Sequence, residues 1–154
     1  MTPTEKMRDF VKREVAVAAA KSLANGALVC VTFDDGSACA VVKDNGIVSV
    51  QDGKPAAAPD VSFAVPEAAL DRLLALETNE VGRFGVELLK QVAHKDASLR
   101  ILPRIHAGLF TLFRRGYFGV LLKGGPAVAS FLAAKGLSSL ADLKAAVERI
   151  RGRS

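Results

Sequence analysis

The chain has 154 residues, half of them hydrophobic, with 21 Lys and Arg against 16 Asp and Glu. This length and composition predict one folded domain over residues 1–154, and they exclude a disordered or low-complexity protein. No apolar run approaches the roughly 18 residues that a membrane-spanning helix needs, and the charged amino-terminal segment is unlike a signal peptide, so we expect a soluble, cytoplasmic protein.

Charge is divided unevenly along the chain. Residues 1–93 contain 10 Lys and Arg against 13 Asp and Glu, a balance of −3, whereas residues 94–154 contain 11 against 3, a balance of +8. The basic half also contains the most apolar stretch. It is therefore the half that we expect to meet an anionic surface, although a solvated face without a function gives the same pattern.

The amino terminus carries the signals of a helix start. Thr2 is a suitable cap, Pro3 suits the first helical position, and Glu5 stands where a capping box needs it. Apolar residues then recur at helical spacing until Asn25-Gly26, which stops the run. We expect one helix over this segment, lying on the sheet that follows.

Residues 28–65 are typical of neighbouring β-strands. Four short runs rich in Val, Phe, Ile, Thr and Cys are separated by Asp35-Gly36, Asn45-Gly46 and Asp52-Gly53. Such dipeptides favour the positive φ angles of tight hairpin turns. The pattern predicts an antiparallel meander, with a fourth strand over residues 61–65 that is entered through a Pro-Ala loop.

The two cysteines belong to adjacent predicted strands. If Asp35-Gly36 forms a two-residue turn, residue 30 faces residue 41, so Cys30 and Cys39 are diagonal and not directly opposite. A disulfide is not expected, and a cysteine-based metal site lacks partners. We predict two buried, reduced thiols.

Helices and one further strand follow the meander. Pro66 starts a helix, and Thr78 or Asn79 can cap the next one. Residues 98–102 alternate as a short strand before Pro103, and its natural place is a fifth strand of the same sheet. The predicted fold is therefore α+β: an antiparallel meander sheet of about five strands, covered on one face by helices.

The apolar surplus of the second half is its main feature. Residues 105–132 contain more large hydrophobic side chains than one covering face requires, with glycines between them, and a final helix is expected from a cap at Ser138 or Ser139. An ordinary filled core accounts for this surplus. A ligand cavity with glycine hinges at its entrance accounts for it equally. The many Ala, Leu and Val residues are likewise compatible with both interpretations, a core packed with small residues and a core that is partly empty.

No strong catalytic or metal-binding pattern is present. His94 and His106 do not stand at metal-ligand spacing with another ligand, and we interpret His106 as a core histidine or a hydrogen-bond partner of a ligand head group. A small α+β isomerase would need a buried Asp and a Tyr acid; Tyr117 is the only tyrosine, and no Asp is obviously buried. We predict a non-enzymatic protein without a metal or a cofactor.

Two other classes of function stay open. A protein–protein interaction module would use the same apolar stretch with a solid core. A nucleic-acid-binding domain would use the basic half, but the aromatic residues lie in helical apolar stretches and not on sheet strands beside Lys or Arg, so nucleic acid is not the favoured partner.

Residues 27–76 resemble the sterol carrier protein-2 family of lipid-binding domains. The motifs that carry the resemblance are Thr-Phe-Asp-Asp-Gly at residues 32–36, Lys-Asp-Asn-Gly-Ile-Val-Ser-Val at 43–50, and Pro-Asp-Val-Ser-Phe-Ala-Val at 59–65 before a helix at 67–74. The chain lacks the Gly-Asp stretch before the closing helix and the strand-borne Trp that many members carry. Bacterial relatives in the family include accessory factors that present prenyl lipids to quinone-modifying enzymes.

The resemblance implies that the sheet and helices enclose an apolar cavity, and that the protein binds and shuttles a fatty acyl, sterol-like or prenyl lipid, without catalysis, between the sheet and the helices of residues 105–132. Eight apolar side chains are expected to line or gate the cavity: Phe84, Leu88, Phe110, Phe113, Phe118, Leu121, Leu122 and Phe131. Three basic residues flank residues 117–122 and are expected to hold that segment against an anionic membrane surface: Arg114, Arg115 and Lys123.

Overall fold

A computed structural model describes residues 1–123, 125–134, 145 and 149, and these form an α+β fold around one five-stranded sheet. The strands are β1 (Leu28–Phe33), β2 (Ala38–Asp44), β3 (Ile47–Asp52), β4 (Val61–Val65) and β5 (Leu102–Ile105). The helices are α1 (Pro3–Val11), α2 (Glu14–Ala20), α3 (Glu67–Leu74), α4 (Val81–Val92), α5 (Leu109–Arg114), α6 (Tyr117–Lys123) and α7 (Gly125–Ala134), with a 3₁₀ turn at Ala97–Leu99. The final helix expected from Ser138 or Ser139 lies outside the described residues.

The sheet is mixed, so the prediction of a purely antiparallel meander was wrong. The strand order is β3-β2-β1-β4-β5, and β4 runs parallel to β1 while the other neighbours are antiparallel. Asp52-Gly53 therefore does not join two adjacent strands. Residues 53–60 are long enough to carry the chain across to the free side of β1. That strand is apolar on both faces and is largely buried between two neighbours, whereas β3 is a mostly exposed edge.

The first hairpin also differs from the predicted register by one residue. The amide of Phe33 donates to the carbonyl of Ser37 over 2.9 Å, so the loop has three residues and ends with Gly36 at φ 89°. Cys30 consequently lies opposite Ala40, and Cys39 lies opposite Val31 on the other face of the sheet. Both cysteines are buried and free, as predicted.

The second hairpin follows the prediction. Asn45 and Gly46 have φ angles of 50° and 75°, the positive pair that a two-residue turn of this type requires, and they join Asp44 directly to Ile47. The fifth strand is shifted: it spans Leu102–Ile105 and includes Pro103 instead of ending before it. Pro103 is tolerated because β5 is an edge strand.

The amino-terminal helix starts as predicted but divides in two. The side chain of Thr2 accepts from the amide of Glu5, and the Glu5 carboxylate accepts from the amide of Thr2, which completes the capping box. The chain then leaves helical geometry at Arg13, with φ −67° and ψ 147°. The guanidinium of Arg13 donates to the carbonyl of Leu74 over 2.9 Å, so α1 and α2 meet at a corner fixed to the end of α3.

The core lies between the helices and one face of the sheet. Val31, Phe33 and Val65 are buried on that face against Leu70 and Leu73 of α3. On the opposite face, large apolar residues near the sheet edges stay exposed, including Ile47 and Leu102. Among the described residues, none of the helices is both long and apolar enough to cross a bilayer.

The start of α6 packs unusually close to the segment after α2. A Cβ atom at Gly116 would lie 1.8 Å from the carbonyl oxygen of Ser22, and one at Gly119 would lie 2.7 Å from the Ser22 Cβ. The amide of Ala24 donates to the carbonyl of Arg115 over 2.8 Å at the same place. Glycine is therefore needed here for close approach, and also for the φ of 84° at Gly116.

We expect Gly116→Ala to lower the free energy of unfolding by about 2–4 kcal/mol, because the added methyl group collides with backbone and the positive φ disfavours it. Gly108→Ala is the matched control, since Gly108 has a φ of −68° and a Cβ atom added there would meet no other atom within 4 Å. Urea unfolding of both variants measures the difference. Equal stabilities of the two variants would contradict this account of the contact.

Candidate functional site

An apolar pocket of about 270 Å³ lies between the helices and strands β2 and β3 of the sheet. Its lining residues in the described part of the chain are all apolar, and they come from α1, α2, the segment after α2, β2, β3, α4, α6 and α7. α2 faces it with Ala16, Ala19 and Ala20, whose short side chains leave the space open. Val120 of α6 and Val128 of α7 also border the pocket.

A second apolar pocket, of about 200 Å³, adjoins the first over the centre of the sheet. It extends to Val29 and Phe63 on the strands and to Ile101 before β5. Five residues line both pockets and form their common wall: Met7, Phe10, Val41, Phe84 and Leu88. The rings of Phe10 and Phe84 are stacked in that wall, with centroids 5.3 Å apart.

Polar contacts outside the pockets hold the helices that line them. The Lys43 ammonium donates to the carbonyl of Ala20 over 2.7 Å and so caps the end of α2, where a cation is favourable. Arg8 donates to the carbonyl of Val50 and pairs with Asp52 at 2.9 Å, which ties α1 to β3. The apolar walls are thus positioned by charges at their rim.

The structure separates the eight predicted ligand contacts into groups. Phe84 and Leu88 line both pockets. Phe110 and Phe113 are 77% and 64% exposed on α5, and Phe131 on α7 is half-buried. The side chains of the remaining three lie outside what the structure describes: Phe118, Leu121 and Leu122.

The three predicted membrane contacts also divide. Arg114 and Lys123 are exposed. Arg115 is two-thirds buried and its guanidinium pairs with Asp60 inside the molecule.

Sequence reasoning missed the amino-terminal side of the pockets. Met7, Val11, Val15 and Leu23 were assigned only to a covering helix or left unassigned, yet they line the first pocket. The signal that could have found this wall is the run Val-Ala-Val-Ala-Ala-Ala at residues 15–20, which presents small apolar side chains where a covering helix usually carries Leu or Phe.

A buried carboxylate connects the strands to the second half of the chain. Asp60 is only 4% exposed, which corrects the expectation that no Asp would be buried. Its Oδ2 accepts from the Tyr117 hydroxyl at 2.8 Å and from the amide of Leu28 at 3.1 Å, and its Oδ1 accepts from Arg115. Its backbone carbonyl accepts from the amides of His106 and Ala107, each at 3.0 Å.

Both carboxylate oxygens of Asp60 are thus occupied by hydrogen bonds within the protein. Asp60 and the residues that bind its carboxylate do not line either apolar pocket. His106 is exposed, so its interpretation as a core histidine was wrong, and its Nε2 lies 2.8 Å from the Ser62 hydroxyl. Within the described part of the chain, no three His, Cys, Asp or Glu side chains stand close enough to hold a metal ion.

The hydroxyl of Tyr117 makes stability dependent on pH in the alkaline range. Burial, together with the hydrogen bond to Asp60, raises the pKa of Tyr117 well above its ordinary value of 10.0. Because the pKa of Tyr117 is higher in the folded state than in the unfolded state, the protonated hydroxyl contributes fully to the free energy of unfolding below about pH 10. This contribution is lost as the pH rises further. Tyr117→Phe should lower the free energy of unfolding by about 1–2 kcal/mol at neutral pH, and this difference should narrow progressively as the pH rises above about 10.

Denaturant unfolding of both proteins across this pH range measures the gap. Burial also raises the pKa of Cys39 to about 11, but Cys39 is present in both proteins, so the difference isolates Tyr117. A gap that stays constant at every pH would show that the hydroxyl is not held by Asp60.

The chain was also compared with known proteins. No protein-family model matches it, and no curated protein or solved structure shows significant similarity to it. The likeness to the sterol carrier protein-2 family therefore stays a prediction made from the motifs of residues 27–76.

Proposed function

We propose that this protein binds a hydrophobic molecule, such as a fatty acyl, sterol-like or prenyl lipid, in a cavity made from the two adjoining pockets and carries it without chemical change. The observation that supports this most is the lining: among the described residues, every one that borders either pocket is apolar. Together the two volumes reach the lower part of the ~300–1,000 Å³ range of small-molecule sites.

The wall between the pockets suits an elongated ligand. Phe10 and Phe84 stack on each other and border both spaces, so a change in the side-chain rotamers of this pair would join the pockets into one channel. That channel would run from α2 and α6 to the sheet below α3. A chain-like hydrocarbon fits this shape better than a compact polar metabolite does.

The energetics explain why such a protein would shuttle its ligand. Burying one methylene from water contributes roughly 0.8 kcal/mol, so a long hydrocarbon chain gains on the order of 10 kcal/mol over water. A lipid that leaves a bilayer gains almost nothing, because the bilayer interior is equally apolar. Uptake and delivery are then nearly balanced, and the protein lowers the barrier to crossing the aqueous phase.

Catalysis has less support. The buried acid and the single tyrosine are hydrogen-bonded to each other and to structural groups, and they lie away from the apolar space. Nucleic-acid binding also has less support, because among the described strands the face of the sheet opposite the helices carries no aromatic side chain on which a base could stack.

Filling the first pocket tests the proposal. Ala19→Phe places a ring into the pocket from α2, and we expect the affinity for a fluorescent fatty acid to fall at least about tenfold, because the ring occupies ligand volume. Val17→Phe is the matched control: Val17 lies on the same helix but is 49% exposed and does not border the pocket. Equal affinities of these two variants would refute the pocket as the site.

Native mass spectrometry of the purified protein provides a separate test. A lipid-sized mass that stays bound and is released on unfolding supports the proposal and identifies the ligand. A ligand-free spectrum, together with failure to take up fatty acids, sterols and prenyl lipids, would favour an interaction module with a solid core.

A further inference from the structure

We infer that α5 is a membrane-docking element, in which Phe110 and Phe113 insert into an anionic bilayer and Arg114 binds the lipid head groups. The inference extends the proposed lipid binding by naming the surface from which the ligand is exchanged. It rests on different residues from those that line the pockets.

The helix α5 is apolar on two sides. Leu112 is 3% exposed and packs inward, whereas Phe110 and Phe113 are 77% and 64% exposed. These two rings stand three residues apart and so lie on one face of the helix. Large exposed aromatic side chains in such a group are typical of interaction surfaces and not of ordinary solvated helices.

A cation accompanies the rings. The guanidinium carbon of Arg114 lies 5.9 Å from the centroid of the Phe110 ring, and Arg114 is itself exposed. An aromatic side chain with a basic group beside it matches the boundary of a bilayer, where acyl chains and anionic head groups are adjacent.

The surrounding sequence has one sign of charge. Residues 97–141 contain no Asp or Glu, and they contain six basic residues: Arg100, Arg104, Arg114, Arg115, Lys123 and Lys135. Two of them are engaged within the protein, Arg100 with the carbonyls of His94 and Lys95 and Arg115 with Asp60. Arg104, Arg114 and Lys123 are exposed, so this region complements an anionic surface.

The alternative of a second protein copy fits less well. Two rings offer on the order of 150–250 Å² each, which is below the ~800 Å² per partner of a stable interface. A fluid bilayer does not require a matching surface of that size. α5 also packs on α6, whose Val120 borders the first pocket, so docking through α5 would bring the pocket close to the membrane.

The chain contains no tryptophan, so a single introduced Trp gives a clean signal. In Phe110→Trp, the emission should shift to shorter wavelength when phosphatidylglycerol-rich vesicles are added, because the ring enters an apolar layer. In the control Ile47→Trp the emission should not shift, since Ile47 is 69% exposed on the edge strand β3, at the other side of the sheet from β5, which precedes α5. The absence of a shift in Phe110→Trp, or equal shifts in both variants, would overturn the inference.

Co-sedimentation with the same vesicles measures the contributions of the side chains. The double variant Phe110→Ser and Phe113→Ser should bind at least about tenfold more weakly than the unchanged protein, whereas Ile47→Ser should bind normally. Arg114→Gln should weaken binding about fivefold, and its exposed counterpart Lys54→Gln should not. Binding to pure phosphatidylcholine should be weak. Equal losses in the test and control variants, or no binding by the unchanged protein, would overturn the inference.

The pocket variant keeps the two proposals separate. Ala19→Phe should sediment with vesicles like the unchanged protein, because α5 is intact. Uptake of fatty acid by a protein that does not bind vesicles would overturn the docking inference alone. Vesicle binding by a protein that takes up no hydrophobic ligand would support the docking surface and refute the proposed cavity.

Discussion

The buried carboxylate of Asp60 is the interaction on which the architecture depends. The amide of Asp60 donates to the carbonyl of Leu28, and its carboxylate accepts from the Leu28 amide, so this one residue begins the parallel pairing of β4 with β1. The same carboxylate binds Arg115 and Tyr117 at the start of α6. A buried carboxylate costs free energy unless its oxygens are hydrogen-bonded. The bonds from Arg115 and Tyr117 to Asp60 therefore fix where the second half of the chain meets the sheet.

The apolar space follows from that placement. α6 is held against the segment after α2 by Asp60 on one side and by the close contact of Gly116 with Ser22 on the other. α2 carries alanines where it faces the sheet, so the helices are kept in position by polar contacts at their ends while their facing surfaces do not fill the volume between them. Apolar side chains in a protein interior normally pack against one another without leaving such room, and this is the reason for regarding the two pockets as a candidate site.

Much of the local structure could be predicted from the residues. The capping box at Thr2, the turn at Asn45-Gly46 and the reduced state of the cysteines depend on short-range chemistry, and the structure agrees with each of them. The position of β4 could not be predicted in this way, because a dipeptide such as Asp52-Gly53 specifies a turn but not the partner of the strand that follows. The amino-terminal part of the pocket wall was missed for a related reason: the small residues at 15–20 indicate that the helix leaves space beside it, but they do not specify which elements border that space.

The sequence by itself determined the element types, the apolar faces and the basic character of the second half, since these depend on side-chain periodicity, on turn residues and on charge. Only the tertiary structure decided that β1 lies between β2 and β4, that Arg115 is an internal partner of Asp60, and that Phe110 and Phe113 point outward while Phe84 points inward. These outcomes depend on contacts between residues far apart in the chain. The local pattern allows several arrangements equally, and the buried Asp60 carboxylate and the close contact of Gly116 with the Ser22 backbone select one of them.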